Sequence, residues 1–306
     1  MNEMFLKGNN ELINTKPQYN DLVERFLNYL DVAENTIQTY KYSLKQWAVY
    51  MKNNNITTPT RDDVLNYKAY LLQNNSANTT NLYLASLKNF YKWLEYEEIT
   101  KDITKNIKSI NVGNKHLRRS LTVEEVKKLL DSCENTRERL LITLSTTCAL
   151  RSNEVTNIRL EDFYKIDGVT MLKVLGKGRN GLKIDSVKID DRVLELIKEY
   201  CKEYDITDYL FTSTSNHNTG GKVNNITIRR IFNKLCEKAE IDRDRLTFHS
   251  CRHFSATQTF KSGMDLQEVS ENLRHRSITT SAIYLDEIKQ HESKFSTILG
   301  DIVFDK

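Results

Sequence analysis

Two prolines and ten glycines in 306 residues leave few places where a helix would be forced to stop. That scarcity excludes collagen-like and low-complexity chains, and with 39% hydrophobic and 28% charged residues it argues against disorder. A helix-rich globular protein is expected. Long apolar runs are missing as well. The best candidate, Leu140 to Leu150, is broken by Ser145, Thr146 and Thr147 and falls short of the roughly 18 residues that a membrane span needs. The opening stretch Met1 to Gly8 has no basic start followed by an apolar segment, so no secretory signal is read there and a cytoplasmic protein is expected. The cysteines (133, 148, 201, 236 and 251) are odd in number and no two form Cys-x-x-Cys, which points to free thiols rather than disulfides or a zinc site. Charge of one sign is also scarce in the total. Lys and Arg number 45 against 41 Asp and Glu, and the resulting +4 selects no partner by itself.

What is present is organised in two parts, as a chain of this length predicts at about 150 residues per domain. Residues 1–18 are polar and form a flexible lead-in, and residues 19–100 carry four amphipathic helical patterns. Leu22, Val23, Phe26, Leu27 and Leu30 make the first. Ile37, Tyr40, Leu44 and Trp47 make the second, within Thr36 to Met51. Thr60 to Leu72 makes the third, opening on Thr-Arg-Asp-Asp as a cap, and Thr79 to Tyr96 the fourth, with Leu82, Leu84, Leu87, Phe90, Tyr91 and Leu94. Residues 101–119 read as a basic linker, because Lys101, Lys105, Lys108, Lys115, His116, Arg118 and Arg119 face one acid, Asp102. Residues 120–306 form the second part. It opens on the capping signal Thr122-Val-Glu-Glu and is helical to about Arg159. A β-hairpin follows from Val169 to Ile189 around the glycine-rich turn Gly176 to Gly181, and helical patterns then resume.

The segment from Thr247 to Asp286 is richest in chemistry. His249 and Arg252 stand one helical turn apart and could grip one phosphate together. His249 and His253 have the i, i+4 spacing of a zinc pair, but the sequence His-Ser-Cys-Arg-His lacks the glutamate of such a motif, so no metal is expected. On these residues the chain resembles the tyrosine recombinases, the phage integrase family, whose catalytic domain carries an Arg-x-x-Glu segment, a hairpin lysine, His-x-x-Arg, a later histidine and a tyrosine nine positions beyond it. Arg151 and Glu154, Lys177, His249 and Arg252, His275 and Tyr284 supply all five in that order. Three positions depart from the family pattern: Ala149 and Arg274 stand where glycine is usual, and Asp286 where histidine is frequent.

The resemblance implies a mainly α fold with an N-terminal four-helix core-binding domain and an α-rich catalytic domain containing a small sheet. The chemistry suits the residue types. A phosphodiester under attack gathers negative charge on its non-bridging oxygens, and Arg151 and Arg252 can offer them paired donors without a metal. His249 and His275 add hydrogen bonds, and His249 can accept the proton of Tyr284, whose ordinary pKa of about 10 makes help necessary. Lys177 suits protonation of the departing 5′-hydroxyl, and Glu154 orients Arg151 or His249.

The resemblance further implies a 3′-phosphotyrosyl intermediate, which needs no cofactor because it stores the bond energy. It also implies duplex DNA with inverted half-sites, dimers to tetramers on that DNA and strand exchange through a Holliday junction, with or without an accessory or partner recombinase. Lys115, Arg118, Arg119, Arg179, Arg274 and Arg276 are expected to meet DNA, and the terminal stripe Phe295, Ile298, Leu299 and Ile302 to dock on a neighbouring protomer. The biological role would be integration or excision of a mobile element, or dimer resolution, with Xer-like length. Two alternatives are a type IB topoisomerase and a catalytically silent DNA-binding protein.

Overall fold

A computed structural model of the chain describes residues 18–112, 119–176, 183–214 and 219–274. They fall into two compact units, one reaching residue 112 and one from residue 119 onward. Among the described residues no helix is long and apolar enough to cross a membrane.

The first unit is built from α1 (Tyr19–Tyr29), α2 (Glu34–Asn53), α3 (Arg61–Asn74) and α4 (Ala77–Tyr96). Each buries its apolar stripe, and the core they share is largely aromatic. Phe26 lies edge-on to Phe90 with centroids 5.3 Å apart, and Trp47 meets Tyr67 at 4.9 Å. Trp47 donates from its ring nitrogen to the Tyr91 hydroxyl at 3.3 Å, and the Tyr19 hydroxyl donates to the Leu44 carbonyl at 2.9 Å, so these buried polar tips are satisfied. A reciprocal capping box between Thr60 and Asp63 starts α3, as the sequence predicted. Leu82 differs from expectation: it is 44% exposed, because two residues before Leu84 it points to the other side of α4.

The basic stretch after α4 is more tightly held than a solvated tether would be. Ile107 is buried in the aromatic core. The Asn81 side chain donates to the Ile110 carbonyl at 2.9 Å and accepts from its N–H at 2.8 Å. Lys68 donates to the Lys108 carbonyl at 2.7 Å, and Lys105 pairs with Glu95 at 2.8 Å. One apolar anchor and a few backbone partners thus fix residues 101–112 to the helices.

The second unit contains α5 (Val123–Asp131), α6 (Thr136–Thr147), α7 (Ser152–Asn157), α8 (Asp191–Glu203), α9 (Asn225–Lys238), α10 (His249–Lys261) and α11 (Leu266–Asn272). Between α7 and α8 lies an antiparallel sheet of β1 (Phe163–Ile166), β2 (Val169–Gly176) and β3 (Lys183–Lys188), in that order. β1 was not expected. Its four residues are mostly exposed and carry no alternation, yet Asp167 and Gly168 join it to β2 with φ of 49° and 80°, the two left-handed residues of a tight hairpin turn. Helix α6 buries Leu140, Leu141, Ile142 and Leu144 and packs against α5, α8 and α10. A smaller cluster of Ala149, Ala256, Val269 and Leu273 draws the turn after α6 against α10 and α11. All five cysteines are free. The helical patterns expected beyond residue 274 and the terminal apolar stripe lie outside the described residues.

Candidate active site

Two helix ends create the site. Helix α6 stops at Thr147, and two residues on Ala149 takes a left-handed φ of 49°. Helix α11 stops at Asn272, and two residues on Arg274 takes a φ of 54°. A left-handed residue just past a helix is where glycine is favoured, which accounts for glycine being usual at both positions. Here neither residue is glycine, and both turns are closed by arginines.

The last carbonyls of a helix lack intrahelical donors and carry partial negative charge. Arg252, on α10, donates to the Ala149 and Leu273 carbonyls and so ties the two helix ends together. Arg274 donates to the carbonyls of Cys148 at 3.3 Å and Ala149 at 2.9 Å. Both side chains are buried, Arg252 at 1% exposure. Ser255 of α10 adds a third donor, to the Thr146 carbonyl at 2.6 Å.

Glu154 is the carboxylate of this cluster. At the start of α7 one oxygen accepts from the Arg151 N–H at 2.8 Å and from the Arg274 guanidinium at 2.9 Å, while the other accepts from the Arg151 guanidinium at 2.5 Å. Arg151 also donates to the Arg274 carbonyl at 3.2 Å. Burial pushes the Glu154 carboxyl up, but Arg274, the Arg151 N–H and the Arg151 guanidinium together hold it below its ordinary value. Two guanidiniums, those of Arg151 and Arg274, thus share one carboxylate, and Arg252 joins the same turn through the Ala149 carbonyl. Arg151 has the more open side chain, 31% exposed against 4% for Arg274.

Of the residues singled out in the sequence, Arg151, Glu154, Arg252 and Arg274 come together. His249 begins α10 one turn before Arg252, half-buried, with its ring edge-on to His253 at 5.1 Å. Two residues expected at DNA have other partners. Arg119 grips Glu125 through two bonds of 2.9 and 2.8 Å and donates to the Asp242 carbonyl, bracing the capping box of α5. Arg274 spends its terminal nitrogens on Glu154 and on backbone carbonyls, where a phosphate contact was expected. Lys115, Arg118, Lys177, Arg179, His275, Arg276 and Tyr284 lie outside the described residues. Sequence reasoning missed the carbonyls of Cys148, Ala149 and Leu273, and the only signal for them was the two missing glycines. Among the described residues no three His, Cys, Asp or Glu side chains converge as a metal site would.

This architecture belongs to a known class. Residues 119–291 match the phage integrase family and residues 15–98 its N-terminal SAM-like domain. The chain belongs to the phage integrase family, the tyrosine recombinases, which cleave and rejoin DNA in site-specific recombination. It is 28% identical over 291 residues to tyrosine recombinase XerA of Pyrococcus horikoshii, covering 94% of each chain. Its fold is that of XerH recombinase solved with a palindromic difH substrate after cleavage, at a TM-score of 0.69 and 22% identity over 94% of this chain and 99% of that one. A lambda integrase tetramer bound to a Holliday junction shares the fold at a TM-score of 0.67 and 18% identity, covering 87% of this chain and 76% of that one.

Proposed function

We propose that the chain binds duplex DNA at inverted half-sites, assembles there as dimers and then tetramers, and exchanges strands through a Holliday junction. The observation that carries this reading is that Arg151, paired with Glu154, and Arg252, bonded to the Ala149 carbonyl two residues before Arg151, come from separate segments to one turn, with His249 one turn before Arg252 on α10. XerH, of the same fold, was solved on a palindromic site, and lambda integrase as a tetramer on a junction.

In the proposed reaction the Tyr284 oxygen attacks the scissile phosphorus and the bond from phosphorus to the 5′ oxygen breaks. His249 takes the tyrosine proton, and Lys177 gives one to the departing 5′-hydroxyl. Arg151 and Arg252, with a hydrogen bond from His275, offset the charge that builds on the phosphate oxygens, and Glu154 holds Arg151. A 3′-phosphotyrosyl link results, and attack by another strand's 5′-hydroxyl reverses the steps. No cofactor is consumed in either direction. Lys115, Arg118, Arg179 and Arg276 serve the DNA backbone, and the terminal stripe from Phe295 to Ile302 docks on a neighbouring protomer. The protein works in the cytoplasm at the nucleoid.

The test begins with the DNA site, recovered by selecting randomised duplexes bound by the full chain. A plasmid carrying two copies of it is expected to yield recombinant circles, while supercoiled plasmid without the site stays supercoiled. Relaxation of the site-free plasmid would favour a topoisomerase instead, and tight binding with no strand breakage a silent DNA-binding protein.

A further inference from the structure

Arg274 is costly to place. It holds a left-handed backbone that a side-chain-bearing residue rarely adopts, and its side chain is 4% exposed. What it gains there is specific. Its guanidinium bridges Glu154 and the carbonyls that end α6, and it also reaches back to the Asn272 carbonyl at 3.1 Å. Its own carbonyl accepts from Arg151. Side chain and backbone of one residue therefore touch both members of the Arg151–Glu154 pair, and the next residue in the chain is His275.

We propose that Arg274 is a positioning residue for DNA cleavage: by bridging Glu154 and the end of α6, it locks Arg151 in place and ties the segment leading into His275 to it. It acts through Glu154 and does not bind the phosphate. The neighbouring contacts fit such a lock. Arg252 fixes the Leu273 carbonyl immediately before Arg274, so the end of α11 is held at two successive residues by two guanidiniums. A lysine could keep the charge but has no fork with which to span the carboxylate and the carbonyls at once.

The inference rests on the proposed assignment of Arg151 to the scissile phosphate, and the test separates the two. Single-turnover cleavage is measured on a nicked duplex carrying the selected site, for the full chain, Arg274→Gly, Glu154→Gln and the double variant, with duplex affinity measured alongside. Glycine accepts the left-handed backbone, and circular dichroism checks folding. Should Arg274→Gly not fold, the same cycle is run with Arg274→Lys. At saturating duplex, Arg274→Gly is expected to cleave at least about tenfold more slowly with affinity changed by less than about twofold, and the double variant to be no slower than the slower single variant. Three results would overturn the inference: an unchanged rate, effects that multiply in the double variant, or a loss confined to affinity. Absence of cleavage by the unmodified chain would instead overturn the proposed function.

Discussion

Glu154 answers to two arginines with one carboxylate, and that makes its protonation a measure of the whole cluster. Its pKa lies below the ordinary 4.5, so its stabilising contribution is complete above that value and is lost as pH falls through the lower folded-state value. Replacing it by glutamine should cost about 3 kcal/mol near neutral pH, because Arg274 is left buried with a charge and no acid. The gap between the unmodified chain and Glu154→Gln should close on acidification, as read by urea unfolding followed by helical circular dichroism. A gap of constant size would show that the ion pairs contribute nothing. The pairing of Arg151 with Glu154 and the placing of His249 one turn before Arg252 were legible, because these residues lie at local spacings that a helix translates directly into shared faces. The bond from Arg274 to Glu154 spans 120 positions, and no spacing rule reaches that far. Only the glycine missing at position 274 hinted at it, and a hint of strain does not say what relieves it.

Among the elements, the helices followed from their apolar period, and the caps at Thr60 and Thr122 fell where the sequence put them. The misses have physical causes. β1 is too short and exposed to alternate, and the Asp-Gly turn that closes it was the better signal. The run after α4, read as a basic linker because its charges outnumber its apolar residues, is anchored by Ile107. Truncating that anchor tests the point. Ile107→Ala should destabilise the first unit by about 2 to 4 kcal/mol. Both tryptophans of the chain, Trp47 and Trp93, lie in that unit's core, so tryptophan fluorescence during urea unfolding reports it directly. An unchanged midpoint would return residues 101–112 to the status of a free tether.

Across the whole molecule the sum of charges was the least informative number, since +4 over 306 residues says nothing about placement. Placement is what matters in the second unit, where buried cations collect at two helix ends and the acids are fewer. The basic residues do not all serve one purpose. Lys105 and Arg119 are engaged with Glu95 and Glu125, so a count of lysines and arginines overstates what is left for DNA. The central claim is that this cluster serves a covalent reaction at Tyr284. It is tested most directly by incubating the full chain with a nicked suicide duplex bearing its selected site and resolving the products under denaturing conditions. The account predicts a protein–DNA adduct joined through a 3′-phosphate to Tyr284 and lost in Tyr284→Phe. An adduct that survives Tyr284→Phe, or site-specific binding with no adduct at all, would contradict it.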